Sequence, residues 1–181
     1  MTITPTEFEG LFIIQPLVFN DARGYFMETY NESVHLNNNL NYKYIQDNES
    51  LSQYGVIRGL HYQRNPDAQV KLVRVTLGKV IDVVLDLRPD QKTFGKHFSI
   101  ILSSENKSQL LIPVGFAHGY GVLSDTAIFN YKCTAFYNKN AEGGVNLYDE
   151  HLQIDWCIPK SEQLISSKDL NWPNFGDHLP L

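Results

Sequence analysis

Cysteine is nearly missing: the 181 residues include two, Cys133 and Cys157, far apart and in no CxxC pair. The sequence offers no disulfide framework, and both are expected to be reduced thiols in a cytoplasmic protein. Runs of lysine or arginine are absent too. The 15 basic and 20 acidic residues are spread along the chain, for a net charge of -5. That spread argues against nucleic acid or an anionic membrane as the main partner, although a few local basic residues suffice to hold a phosphate. No apolar run is long enough to span a bilayer. The opening Met1-Thr2-Ile3-Thr4-Pro5 lacks the basic-then-apolar pattern of a signal peptide. There is no internal repeat and no low-complexity linker.

What is present suits one domain over residues 1–181, with 43% hydrophobic residues to fill a sizeable core. Leu11 to Phe19 is apolar and interrupted by Pro16, the pattern of an edge strand. Asp21 with Gly24 marks a turn, which by itself needs neither Arg23 nor Glu28. Tyr30 to Asn39 predicts one short helix, and Tyr42 to Ser50 an extended segment. Gln46-Asp47-Asn48-Glu49 is polar for a strand end, either a solvated turn or the rim of a polar pocket. Strands are predicted at Gln69–Leu77, Val80–Leu87, His97–Ser103, Gln109–Val114, Val122–Ser124 and Ala127–Phe136. Glu142-Gly143-Gly144 reads as a loop, Ser161 to Leu164 as a helix start, and Trp172 to Leu181 as an irregular tail. Roughly ten strands at this spacing predict an all-β sandwich or barrel with little helix.

One stretch breaks the rules of a plain strand. In Gly55-Val56-Ile57-Arg58-Gly59-Leu60-His61-Tyr62-Gln63, strict alternation puts Ile57, Gly59, His61 and Gln63 on one face and Val56, Arg58, Leu60 and Tyr62 on the other. His61 is either a hydrogen-bonded core histidine or a cavity residue tunable near neutral pH. Lys71 shares a face with Val73, Val75 and Leu77, so it either snorkels at the strand end or points into a cavity. A closed sheet leaves an interior that holds side chains or one small ligand. His61, Gln63 and Lys71 would project into it.

Pro113-Val114-Gly115-Phe116-Ala117-His118-Gly119 has the P-x-G-x-x-H spacing of the second cupin motif. Metal cupins place H-x-H followed by glutamate in their first motif. Here that place reads His61-Tyr62-Gln63, which leaves too few ligands for a metal, so no metal and no cofactor are expected.

With these residues in view, the chain resembles the dTDP-4-dehydrorhamnose 3,5-epimerase family, metal-free cupins acting on a deoxy-keto-sugar nucleotide. The matching stretches are Phe19-x-Asp21-x-Arg23-Gly24-x-Phe26-x-Glu28, Gln46-Asp47-Asn48, Gly55 to Gln63, Gln69-Val70-Lys71-Leu72-Val73-Arg74-Val75, Asp86-Leu87-Arg88, Thr93-Phe94-Gly95-Lys96, Ile112 to Gly119, Tyr131-Lys132 and Ser167-Lys168-Asp169. They cover most of the chain. Two stretches depart from the common pattern: Ala135-Phe136-Tyr137, and Asn146 to Glu150.

The resemblance implies a cupin-type double-stranded β-helix, or jelly roll, with a few short helices and an irregular tail over about 160–181. It implies His61 as the base, Asp169 as its partner, Lys71 beside the ketone oxygen, and Tyr131 as the proton donor on the opposite face of the sugar. Without it, Tyr131 reads as a core aromatic, and His118 stays balanced between pocket residue and structural histidine. Arg23, Phe26, Glu28, Gln46, Asn48, Arg58, His118, Glu142 and Lys168 are implied to bind the substrate, a dTDP-4-keto-6-deoxyhexose on the way to dTDP-rhamnose. The family is dimeric and exchanges an N-terminal segment, which makes the 11–19 strand a candidate for pairing across a homodimer. By alternation Arg58 faces away from His61, and only a bulge at Gly59 or a dimer partner would bring it into the pocket.

Three other readings compete. A C3-only epimerase or a ketoisomerase would use the same first proton abstraction. A sugar-nucleotide-binding module without turnover would not need an acid and a base together. A metal-dependent oxygenase is disfavoured by the missing H-x-H.

Overall fold

Residues 1–181 are all described by the structure, a computed structural model. The chain runs through β1 (Thr2–Pro5), β2 (Phe12–Gln15), β3 (Val18–Asp21), β4 (Gly24–Met27) and α1 (Glu32–Asn37). It continues through β5 (Gln46–Gln53), β6 (Val56–Gln63), β7 (Lys71–Leu77), β8 (Lys79–Asp86) and β9 (His97–Ser103). Then come β10 (Gln109–Ile112), β11 (Phe116–Val122), β12 (Thr126–Cys133) and β13 (Glu142–Gly144). A 3-10 turn at Lys160–Glu162, β14 (Leu164–Ile165) and α2 (Ser167–Leu170) complete the order.

Two sheets face each other. One has the order β1-β2-β10-β7-β12-β5, the other β13-β6-β11-β8-β9, with β14 alongside β6. This is the all-β sandwich expected from the pattern of short strands, in the jelly-roll form that the resemblance implies. The core between the sheets draws on alternate residues of each. Val73, Val75, Leu110, Ile112 and Phe129 of one sheet meet Val80, Val84, Leu102, Phe116 and Tyr120 of the other. Each such side chain, once buried, contributes about 1.5–3 kcal/mol.

A second core lies on the outer face of the second sheet. Ile57, Leu60, Ile81, Val83 and Leu85 are covered there by Val145, Leu147, Leu152, Trp156 and Ile158. The C-terminal third is therefore a cover for that sheet. This is why β8 is buried on both faces.

Several expectations are corrected. Leu11 to Phe19 is not one edge strand: Pro16 ends β2, which is paired on both sides by β1 and β10, and β1 is the edge. The chain then forms a separate β3–β4 hairpin joined to neither sheet. The extended segment begins only at Gln46 and reaches Gln53, while Tyr42 and Tyr44 pack against the outer face of the first sheet. The strand placed at Val122–Ser124 in fact starts at Phe116; Gly119 and Gly121 mask it in the sequence. The helix placed from Ser161 is a 3-10 turn, and the α-helix follows at Ser167.

The alternation in β6 breaks at Gly59. Arg58 pairs with Tyr120 and His61 with His118, so three steps on β6 oppose two on β11. The extra residue is a β-bulge, and Gly59 takes φ 137°. After it the faces swap. Arg58 and His61 both line the interior, while Ile57, Leu60 and Tyr62 lie in the outer core. A methyl group on Gly59 would stand 2.5 Å from Gly119 Cα and 3.0 Å from the His118 carbonyl oxygen. Gly59→Ala is expected to cost about 2–4 kcal/mol in denaturant unfolding, from positive-φ strain and backbone overlap together. A loss below about 0.5 kcal/mol, the range of an ordinary surface change, would contradict this account of the bulge.

Candidate active site

Between the sheets opens a cavity of about 450 Å³. His61 enters it from β6, Lys71 from the first position of β7, His118 from β11, Tyr131 from β12 and Asp169 from α2. A second hollow of about 300 Å³ shares His61, Lys71 and Tyr131, and adds Gln46, Asn48, Tyr137 and Glu142. The shared residues join the two hollows into one cleft, with the exposed Arg58 and Lys168 at its polar mouth.

His61 and Asp169 are 108 positions apart and meet at 2.6 Å, Nε2 to Oδ1. Asp169 is 4% exposed. Its other oxygen accepts from the Gly59 N–H at 3.4 Å, and its own N–H donates to the Ser166 hydroxyl that caps α2. Burial pushes the Asp169 carboxyl up, but the contact with His61 and the backbone hydrogen bonds outweigh it and hold the group below the usual carboxylate range. Asp169 is thus an anion that accepts from His61 Nε2–H. The lone pair of His61 is left on Nδ1, without a protein partner.

Tyr131 stands on the opposite wall, in the facing sheet. Burial pushes its phenol up, so it keeps its proton at neutral pH. Lys71 is half-buried, and burial pushes its ammonium down. His118 is 8% exposed; its Nε2 donates to Asp82 Oδ2 at 2.9 Å. It is both buried and cavity-lining, so the two sequence readings of His118 converge. No three His, Cys, Asp or Glu side chains converge as metal ligands.

The sequence profile of the dTDP-4-dehydrorhamnose 3,5-epimerase family matches residues 5–177. The chain belongs to this family. A dTDP-4-dehydrorhamnose 3,5-epimerase of Methanothermobacter thermautotrophicus is 47% identical over 168 residues, 92% of this chain and 90% of that one. The crystal structure of the epimerase from Elizabethkingia anophelis superposes with TM-score 0.93 at 50% identity, covering 98% of this chain and 97% of that one. The epimerase of Legionella pneumophila, solved in complex with dTDP-4-keto-L-rhamnose, gives TM-score 0.92 at 41% identity, over 97% and 93% of the two chains.

In this epimerase-family chain the cleft mouth is built from the remaining sequence candidates. Arg58 donates from Nε to Ser52 Oγ at 3.2 Å and has no carboxylate partner. Lys168 pairs with Glu142 at 2.5 Å, and Glu142 also accepts from the Tyr137 hydroxyl at 3.1 Å. Gln46 donates to Asn48 Oδ1 at 2.9 Å and accepts from the Tyr137 N–H. Gln46 and Asn48 therefore line a pocket rim rather than a solvated turn.

Three candidates lie outside the cavity of their own chain. Arg23 pairs with Asp21 at 2.5 Å on the exposed hairpin, Phe26 is 66% exposed, and Glu28 accepts from Asn31. The epimerase fold also supplies residues that sequence reasoning missed. Ser50 and Tyr120 line the cavity and hydrogen-bond to each other at 2.9 Å. The Trp172 and His61 rings meet edge to face, centroids 6.2 Å apart. Asp82 carried a signal, a carboxylate set between Ile81 and Val83 in the middle of an apolar strand.

Proposed function

We propose that the protein epimerises dTDP-4-dehydro-6-deoxy-D-glucose at C3 and C5 to dTDP-4-dehydro-L-rhamnose, a step of dTDP-rhamnose biosynthesis. One observation carries the reading. A histidine oriented by a buried carboxylate and a protonated phenol face each other across one cavity, with a lysine on the same wall as the phenol. Inversion at carbon needs this arrangement: a base on one face and an acid on the other.

His61 Nδ1 takes the proton from the carbon next to the C4 ketone. The C–H electrons form the C=C bond, and the carbonyl electrons move to oxygen. Lys71 stabilises the resulting enolate, its charge acting strongly because the cavity is partly dry. Tyr131 then delivers its proton to the opposite face of the carbon and recovers one from water. C3 and C5 flank the same ketone, so one set of groups serves both.

The mouth suits the nucleotide. Arg58 and Lys168 offer positive charge to a diphosphate, and Gln46, Asn48, Tyr137 and Glu142 surround the outer end. Arg23, Phe26 and Glu28 reach a cleft only if the hairpin enters that of a second copy. Phe19, Tyr25 and Phe26 are all more than half exposed, which supports a homodimer with the hairpin exchanged. The unpaired thiols Cys133 and Cys157 suit a reducing compartment, the cytoplasm, and no helix is long and apolar enough to cross a membrane.

Incubation with the 4-keto-6-deoxyglucose nucleotide in D2O tests the reading. Deuterium is expected at both C3 and C5. Uptake at neither carbon sinks it, and uptake at C3 alone identifies a C3-only epimerase.

A further inference from the structure

Asp82 lies on the inner face of β8 between Val80 and Val84, with 0% of its surface exposed. A carboxylate so far from water costs several kcal/mol unless its charge and lone pairs are met. One oxygen is met: Oδ2 accepts from His118 Nε2 at 2.9 Å. Oδ1 is buried and has no hydrogen-bond partner. Across the interior, Lys71 stands on the inner face of β7 in line with Val73 and Val75. It enters no ion pair. A carboxylate oxygen and an ammonium, each without a partner, thus share the space between the two sheets.

We propose that Asp82 is a positioning residue for the epimerisation: one oxygen orients His118, and the other supplies the counter-charge that keeps Lys71 an ammonium at the developing enolate. This deepens the reading in which Lys71 meets that oxyanion. The other groups facing Lys71 cannot supply the charge. Cys133 on β12 is a buried thiol whose pKa burial pushes up, so near neutrality it is uncharged. Tyr131 on the same strand keeps its proton. His61 on β6 and His118 on β11 bring no negative charge. Glu142 on β13 is engaged at the rim by Lys168 at 2.5 Å. Burial alone pushes the Lys71 ammonium down, and the Asp82 charge works against that. A neutral amine at this place would offer a hydrogen bond to the enolate but not a full charge.

The test compares the pH profile of deuterium uptake and inversion in wild type and Asp82→Asn. Lys71 acts only while protonated. Removing the counter-charge lowers its pKa, so activity is lost earlier as pH rises. The alkaline midpoint of kcat is expected to move down by at least about one pH unit, equivalent to about tenfold in the protonation equilibrium. Binding of dTDP is expected to change less than about twofold, because Asp82 is fully buried and Tyr120 of the intervening strand separates it from Arg58. An alkaline midpoint that stays in place overturns the proposal. Because an asparagine at a buried charge can impair folding, a second measurement uses the native chain. The Nζ resonance of Lys71 is followed in 15N-lysine-labelled protein and assigned by its loss in Lys71→Arg. An ammonium at neutral pH supports the proposal, and a neutral amine there overturns it. Wild-type protein without uptake at either carbon would overturn the epimerase reading instead, and the Nζ titration still decides the charge state.

Discussion

His61→Ala is expected to abolish deuterium uptake at both C3 and C5 while leaving a folded protein that still binds dTDP. His61 joins a free ring nitrogen to a buried carboxylate that fixes its tautomer, and its side chain is 28% exposed against 8% for His118, which Asp82 holds in the same way. A positioned general base contributes about 10²–10⁴-fold. The loss here should sit at the upper end, because no carboxylate is placed to take over: Asp169 is held behind the ring by the Gly59 N–H, and Asp82 is fully buried outside the cavity lining. Exchange and inversion should fall together, since both begin with the same proton. The stability cost is separate and smaller. Removing the imidazole strips Asp169 of its best hydrogen bond and leaves a buried carboxylate underpaired, worth about 1–3 kcal/mol. Asp169→Asn isolates the tautomer. An asparagine amide can donate to Nε2, which moves the ring proton to Nδ1 and removes the lone pair, a change that costs about 10⁴-fold in a comparable histidine–aspartate pair. Proton counting by NMR, alongside thermal melting, separates these effects. Wild-type-like uptake at either carbon in His61→Ala would mean that another group is the base.

The parts of this site that local pattern reveals are those where a side chain contradicts its own strand. Lys71 continues a valine face, and a cation there either reaches water or enters a cavity; the structure shows the cavity. The turn at Pro113 and Gly115 places His118 in a strand correctly, although Gly119 and Gly121 hide how far that strand extends. Both glycines are there because β11 is crowded: a methyl group on Gly119 would stand 2.7 Å from the Arg58 carbonyl oxygen. Alternation alone could not place Arg58. A bulge shifts every later residue by one face, and its mark in the sequence is a single glycine. Asp169 was legible only through resemblance, because its meeting with His61 depends on the C-terminal third wrapping across the outer core of the second sheet. The hairpin carrying Arg23, Phe26 and Glu28 is the reverse case. Its turn was plain in the sequence, but its place in the fold depends on a surface that one chain does not provide.

Tyr131→Phe is expected to uncouple two processes that His61→Ala stops together. The substitution removes one hydroxyl and keeps the ring. That hydroxyl makes no hydrogen bond to the protein, so no partner is stranded and stability should stay within about 0.5 kcal/mol of wild type. His61, Asp169 and Lys71 remain, and the enolate still forms. What is lost is the acid on the far wall. The enolate can then take its proton back only from the face it left, by way of His61 and the deuterium that the ring acquires from solvent. Deuterium therefore enters with retention of configuration. Inversion is expected to drop by about 10²–10³-fold, the usual contribution of a positioned acid, while exchange falls by much less. The phenol's raised pKa adds a pH signature. In wild type the donor stays protonated into the alkaline range, so inversion should persist there until Lys71 or the phenol itself loses its proton. In Tyr131→Phe the residual inversion should lack that dependence on phenol ionisation. Stereochemical analysis of the product, set against the deuterium count at each carbon, measures the split directly. If Tyr131→Phe inverts as fast as wild type, the donor is another group, and the far wall of the cavity serves only to shape it.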